Sequence, residues 1–194
     1  MKTSAKNKKQ TEKLVLLALL TALTAVFGYL GGFISIGSIA TINLGLVPVV
    51  LGAAILGPAA GAWLGAVSGA ILFAPGTLAP WLAISIPGTV ITVMAKGILA
   101  GLCAGLVYKL LEKFNRYVAV IVSAVVCPAV NTGVFILGCF AFFLDAVNTE
   151  ATGAGMSVAG YIIIAYVGLN FVFELLVNVL LSPSLLRLVN LKKK

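Results

Sequence analysis

The most constraining feature of this chain is a succession of long apolar runs whose basic residues lie almost wholly at the run ends. The apolar segments are 14–31, 44–56, 58–74, 88–108, 117–143 and 158–186. A helix that crosses a bilayer needs roughly 20 apolar residues, because the hydrocarbon layer is about 30 Å thick. Only 9% of the residues are charged against 61% hydrophobic, far below the roughly 25% charged residues of a soluble domain. Such a chain cannot cover a water-facing surface. It is read as an all-α integral membrane protein with six transmembrane helices.

Charge placement decides the number and direction of the crossings. Of 13 Lys and Arg, five precede the first run (Lys2, Lys6, Lys8, Lys9, Lys13) and three flank the fourth connection (Lys109, Lys113, Arg116). Four close the chain (Arg187, Lys192, Lys193, Lys194), and Lys96 alone stands inside a run. With six spans the three clusters share one side, and the opposite loops, 32–43, 75–87 and 144–157, hold no Lys or Arg. The positive-inside rule then places both termini in the cytoplasm. Five spans would put the 109–116 cluster outside. The expected organisation is a basic tail at 1–12, a membrane domain at 13–189 and a second basic tail at 190–194. The first run lacks a small-x-small cleavage site, so it is read as a span rather than a signal peptide.

Several function classes find no support. The chain has no P-loop, no HExxH and no GxSxG, and no His to act as general acid or base. Cys103, Cys127 and Cys139 lie in apolar runs without CxxC spacing, which suits packing better than metal binding. No metal, no cofactor and no enzymatic activity are expected.

Three features could carry function. Small residues recur at spacing four: Ala18 and Ala22; Gly57, Gly61, Gly65 and Gly69; Gly97, Gly101 and Gly105. That spacing keeps each set on one helix face and lets another backbone approach, either inside the bundle or from a partner. Polar residues also interrupt the later spans. Lys96 lies roughly 12 Å into the fourth, counted from residue 88 at 1.5 Å per residue. Asn131 and Thr132 lie in the fifth. Asn170, Glu174 and Asn178 share one face of the sixth. Charges at such depth face the bundle interior or a wet cavity. They could line one polar cavity, or Lys96 and Glu174 could form a structural ion pair. Finally, Trp81, Phe33 and Phe73 sit in or beside the outer loops, as an interfacial belt or, for Trp81, as a ring closing over a ligand.

At this point the chain resembles the substrate-binding (S) components of energy-coupling factor (ECF) vitamin transporters. The stretches that carry the resemblance are KLVLLALLTALTAVF, INLGLVPVVLGAAILGPAAGAWLGAVSGAI, AKGILAGLCAGLVYKL, NTGVFILGCFAFF and NFVFELLVNVLLSP. They cover nearly the whole length, with a Leu-Gly-Pro turn between the second and third spans. The resemblance implies that Ala18 and Ala22 contact a transmembrane coupling subunit, which works with two cytosolic ATPases in a bacterial plasma membrane. It also implies capture of a vitamin or precursor outside, followed by tipping in the membrane to release it inside. The general features come closest to the group that includes pantothenate, riboflavin and folate binders. Lys96 would suit a carboxylate-bearing ligand through a charge-assisted hydrogen bond, with pantothenate the foremost example. The substrate site is then expected at Lys96, Asn131, Asn170, Glu174, Trp81 and Asn178. The rival reading is an autonomous secondary transporter or channel, although no internal repeat of the kind common in such proteins is visible.

Overall fold

A computed structural model describes residues 2–31, 35–36, 40–41 and 43–192. The chain is almost entirely helical. In order, the elements are α1 (Lys2–Gly31), a two-residue antiparallel ladder of β1 (Ser35–Ile36) with β2 (Ala40–Thr41), α2 (Leu46–Leu56), α3 (Pro58–Ile71), α4 (Ala79–Ile84), α5 (Ile86–Leu111), α6 (Arg116–Phe142), α7 (Leu144–Gly153), α8 (Val158–Tyr161), a π-helical stretch at Ile162–Val167, and α9 (Gly168–Lys192).

Among the described residues, three helical segments are long and apolar enough to cross a bilayer: Lys9–Gly31, Ile86–Leu111 and Arg116–Phe142. A fourth arises if Leu144–Gly153 and Val158–Val167, bent by 89°, count as one span. α2 and α3, at 11 and 14 residues, each fall short of the roughly 20 needed. The loop expected at 144–157 is largely the helix α7, and the loop expected at 75–87 contains α4. Loop 32–43, with Phe33, lies mostly outside the described residues.

Local chemistry explains the breaks. Pro58 stands at the first turn of α3, where its missing N–H is no loss. Gly57 before it has φ +100°, a conformation glycine adopts without strain. Ser85 caps α5 by accepting the Gly88 N–H at 3.2 Å, just ahead of Pro87. Asn115 caps α6 by accepting from Tyr117 and Val118. α7 ends on Gly155 at φ +67°, with Met156 N–H returning to the Ala151 carbonyl at 2.9 Å, a Schellman closure.

α2 is the central element. Eight of its residues are buried, from Leu46 to Ala54, and it packs against α1, α3, α5, α6 and α9. α1, by contrast, turns only a narrow stripe inward, including Leu20 and Thr24, and leaves Leu14, Val15, Leu19 and Val26 exposed.

The glycine rows at 61–69 and 97–105 are internal packing devices. Gly61 faces Gly101 and Gly65 faces Gly97, main chain to main chain, and Gly69 abuts the Val93 carbonyl. α3 and α5 therefore run antiparallel at very short separation, as small-xxx-small faces permit. Gly105 meets Pro58 at the end of the same seam. Gly57 does not belong to it: a Cβ there would meet nothing within 4 Å.

Two cores result. The larger is aliphatic and centred on α2, and includes Leu46, Leu64, Ala100, Ala124 and Val189. The smaller is built from Trp81, Cys139, Phe143, Val147, Ile162 and Tyr166. Cys127 and Cys139 are buried, Cys103 is half-buried, and all three are free thiols. The candidate site sits beside the second core.

Candidate substrate-binding cavity

One cavity gathers side chains from five parts of the chain. Lys96 comes from α5; Asn131, Thr132 and Phe135 from α6; Tyr166 and Val167 from the π-helical stretch; and Asn170 from α9. Trp81 of α4, with Thr77 and Leu78 before it, completes the wall. The cavity's volume is about 60 Å³. That is room for a few waters and well below the 300–1,000 Å³ of typical small-molecule sites.

The wall is aromatic on one side. Trp81, only 7% exposed, lies edge-on to Phe135 at 5.5 Å, Phe143 at 5.1 Å and Tyr166 at 5.1 Å between ring centroids, the arrangement ring quadrupoles prefer. It is thus a packed ring within the protein rather than a lone member of a surface belt. Phe73 is half-buried on the turn after α3 and takes no part in this cage. The Tyr166 hydroxyl donates to Glu150 Oε2 of α7, which ties that helix to the cavity wall. π-helical turns are frequent at functional sites, and here one supplies both Tyr166 and Val167.

The other side is polar. Lys96 Nζ stands 5.3 Å from the Phe135 ring centroid, a cation–π contact. Among the described residues it has no carboxylate within ion-pair distance, although Glu174 lies close enough to interact with it electrostatically. Asn131, 4% exposed, and the half-buried Asn170 each carry a buried Oδ1 with no hydrogen-bond partner among the described residues.

Glu174 and Asn178 do not reach the cavity wall. Glu174 is 2% exposed, and its Oε1 accepts the main-chain N–H of Asn43 at 3.0 Å. Asn43 in turn accepts from Gly45 N–H and Ser68 Oγ, both at 3.1 Å. Asn178 Nδ2 donates back to the Glu174 carbonyl at 2.8 Å. These residues form a buried network joining the start of α2 to α3 and α9. Asn131 lies close to Glu174, whose buried Oε2 has no hydrogen-bond partner among the described residues.

Sequence reasoning overlooked Phe135 and Tyr166. Both were within reach: Phe135 lies four residues after Asn131 and Tyr166 four before Asn170, each one helical turn along the same face. Ala18 and Ala22 do not line the cavity. Both are exposed on α1, beside Thr21, whose hydroxyl accepts from Trp63 Nε1 at 3.2 Å.

A family model described as ECF transporter, substrate-specific component, matches residues 12–188. The chain belongs to this family. No curated protein and no solved structure matches it. The ECF substrate-specific component is accordingly a multi-pass membrane protein and a transporter subunit rather than an enzyme. Its partners are a small-molecule substrate and an ECF module.

Proposed function

We propose that this ECF substrate-specific component captures a vitamin or vitamin precursor bearing a carboxylate, pantothenate being the leading example. Capture takes place at the outer face of a bacterial plasma membrane, for ATP-driven uptake. The observation that carries the reading is Lys96: a cation inside the helix bundle, on a cavity wall, without an ion-pair partner among the described residues. A buried charge of this kind needs an anion, and a carboxylate accepts charge-assisted hydrogen bonds from an ammonium. Asn131 and Asn170 would bind polar ligand groups, and Trp81, Phe135 and Tyr166 would pack on its apolar part.

The cavity must widen to take a vitamin. The element best placed to yield is α4, six residues long, which brings Trp81 into the wall. In this reading the chain crosses six times with both termini cytoplasmic, as the positive-inside pattern requires. The short α2 and α3 form two of the crossings. A transmembrane coupling subunit docks on the exposed Ala18–Ala22 face of α1, and two cytosolic ATPases supply the energy. Glu174 and Asn178 hold the floor in place rather than touching ligand.

Native mass spectrometry of the detergent-purified protein, before and after incubation with a vitamin panel, tests the reading. A stoichiometric adduct with a carboxylate vitamin, lost in Lys96→Ala, is the expected result. Binding that Lys96→Ala and Asn131→Ala leave unchanged would remove this site.

A further inference from the structure

A second cavity, a groove of about 400 Å³, lies where the first turns of α6 meet the last turns of α9. Resting on the six-span reading for the side of the membrane alone, we infer that this groove seats an anionic phospholipid of the cytoplasmic leaflet. Its phosphate sits on Arg187, and the upper part of an acyl chain lies on Val120, Ile121 and Pro183.

The groove is amphipathic along its length. Tyr117, Arg187 and Asn190 supply its polar end, and Val120, Ile121 and Pro183 its apolar end. Ile121 follows Tyr117 by one helical turn, and Pro183 precedes Arg187 by one. The two helices run in opposite senses here, so both apolar sets lie on the same side of the polar groups, about 6 Å along the helices. Pro183 lies inside α9 and cannot donate to the Val179 carbonyl. The Ser182 hydroxyl donates to that carbonyl instead. At this point the wall shows an acyl chain neither a spare N–H nor the freed acceptor, as a lipid-facing backbone requires.

Charge selects the occupant. The segments that flank the polar end, 109–116 and 187–194, carry Lys109, Lys113, Arg116, Arg187, Lys192, Lys193 and Lys194 against the single acid Glu112. Arg187 is exposed, and among the described residues it makes no ion pair. A zwitterionic lipid brings no net charge to this end, and a free anion leaves the apolar end uncovered. An anionic phospholipid supplies both. Basic pockets between membrane helices on the cytoplasmic side bind such headgroups, and a guanidinium grips phosphate through two parallel hydrogen bonds. Tyr117, also exposed, stands at the same end, where interfacial tyrosines commonly sit.

Titration of the detergent-purified full chain by native mass spectrometry provides the test, with three probes: dioleoylphosphatidylglycerol, dioleoylphosphatidylcholine and inorganic phosphate. We expect the phosphatidylglycerol to bind about fivefold tighter than the phosphatidylcholine, the factor one basic residue contributes near an anionic surface. Arg187→Gln should abolish that preference, and Lys113→Gln, the same charge change outside the groove, should keep it. Ile121→Trp fills the apolar end without altering charge and should weaken both lipids. Equal binding of the two lipids by the unaltered protein, or equal losses in Arg187→Gln and Lys113→Gln, overturns the seat. Displacement of the lipid by millimolar phosphate overturns the lipid as occupant and makes the groove a site for free anions. The lipid comparison needs no variant, so a misfolded Ile121→Trp leaves it intact. Binding in micelles is also independent of topology. Labelling of Lys113→Cys by an impermeant maleimide outside intact cells, above the level of the unaltered protein, overturns the cytoplasmic assignment and the six-span reading with it, and leaves the groove standing.

Discussion

The main-chain N–H of Asn43 donates to Glu174 Oε1 at 3.0 Å, joining the entry of α2 to the middle of α9 across 131 residues. Neither partner lines the cavity, yet Glu174 lies close to Asn131, which does. The most deeply buried carboxylate of the later spans thus supports the cavity from behind. Glu174→Ala should leave the Asn43 N–H buried and unpaired, a loss of about 1–3 kcal/mol. Glu174→Gln keeps an acceptor oxygen and should lose much less. Thermal unfolding in detergent separates the two, and equal losses would argue against the bond.

At the cavity wall, Lys96→Met keeps most of the side-chain volume and removes the cation. A hydrogen bond to a charged group contributes about 1.5–3 kcal/mol, so affinity for a carboxylate ligand should drop roughly 10- to 150-fold. Fold stability should change little, because Lys96 makes no ion pair with the described residues. Calorimetry with the ligand identified by mass spectrometry measures the first effect, and a melting curve the second.

Tyr166 connects the aromatic cage to α7 through Glu150. In Tyr166→Phe the ring and its packing on Trp81 remain, while the tether goes. Ligand exchange should accelerate several-fold, chiefly in dissociation, where most affinity changes among related complexes reside. The chain has two tryptophans, so Trp63→Phe leaves Trp81 as the sole indole reporter. Stopped-flow fluorescence in that background reads the rate, and unchanged dissociation would show the tether to be idle.

The α3–α5 seam makes a sharp prediction about size. A Cβ at Gly65 or Gly97 would collide with the facing main-chain carbonyl, and main chain cannot step aside as a flexible side chain can. Gly65→Ala or Gly97→Ala should destabilise by about 1–3 kcal/mol, the usual range for overpacking. Gly133 in α6 is the control, since a Cβ there meets nothing within 4 Å. Gly133→Ala should be neutral or stabilising by up to about 1 kcal/mol. Chemical denaturation in mixed micelles gives the comparison.

Ala18 and Ala22 are exposed on α1 and do not line the cavity. Replacing both by Leu should leave ligand affinity in detergent within about twofold. Uptake by cells that supply the ECF module should fall at least tenfold, because bulk on a small-residue face keeps a partner backbone away. Loss of both binding and uptake would point to a fold defect, and retention of both would move the docking face elsewhere.

Hydropathy and charge along the chain determine an all-helical membrane body. The prolines and glycines place several of its breaks, with Pro58 opening α3 and Pro87 lying in the first turn of α5. The glycine rows are legible for the same reason, because spacing four in a helix always shares a face. Lys96, Asn131, Asn170 and Trp81 were legible as polar or aromatic exceptions in apolar surroundings, and they meet on one wall. The same rule failed for Glu174 and Asn178. They share a helix face with Asn170, but helical spacing fixes direction and not depth, and Glu174 meets the Asn43 N–H just before α2. A main-chain donor has no signature in a sequence, since every residue but proline carries one. Only packing selects which one meets a carboxylate. The tertiary structure likewise decides that the short α2 lies at the centre, and that polar residues 144–153 form a helix whose Glu150 holds Tyr166. Those outcomes depend on contacts between segments distant in the chain, which no local pattern encodes.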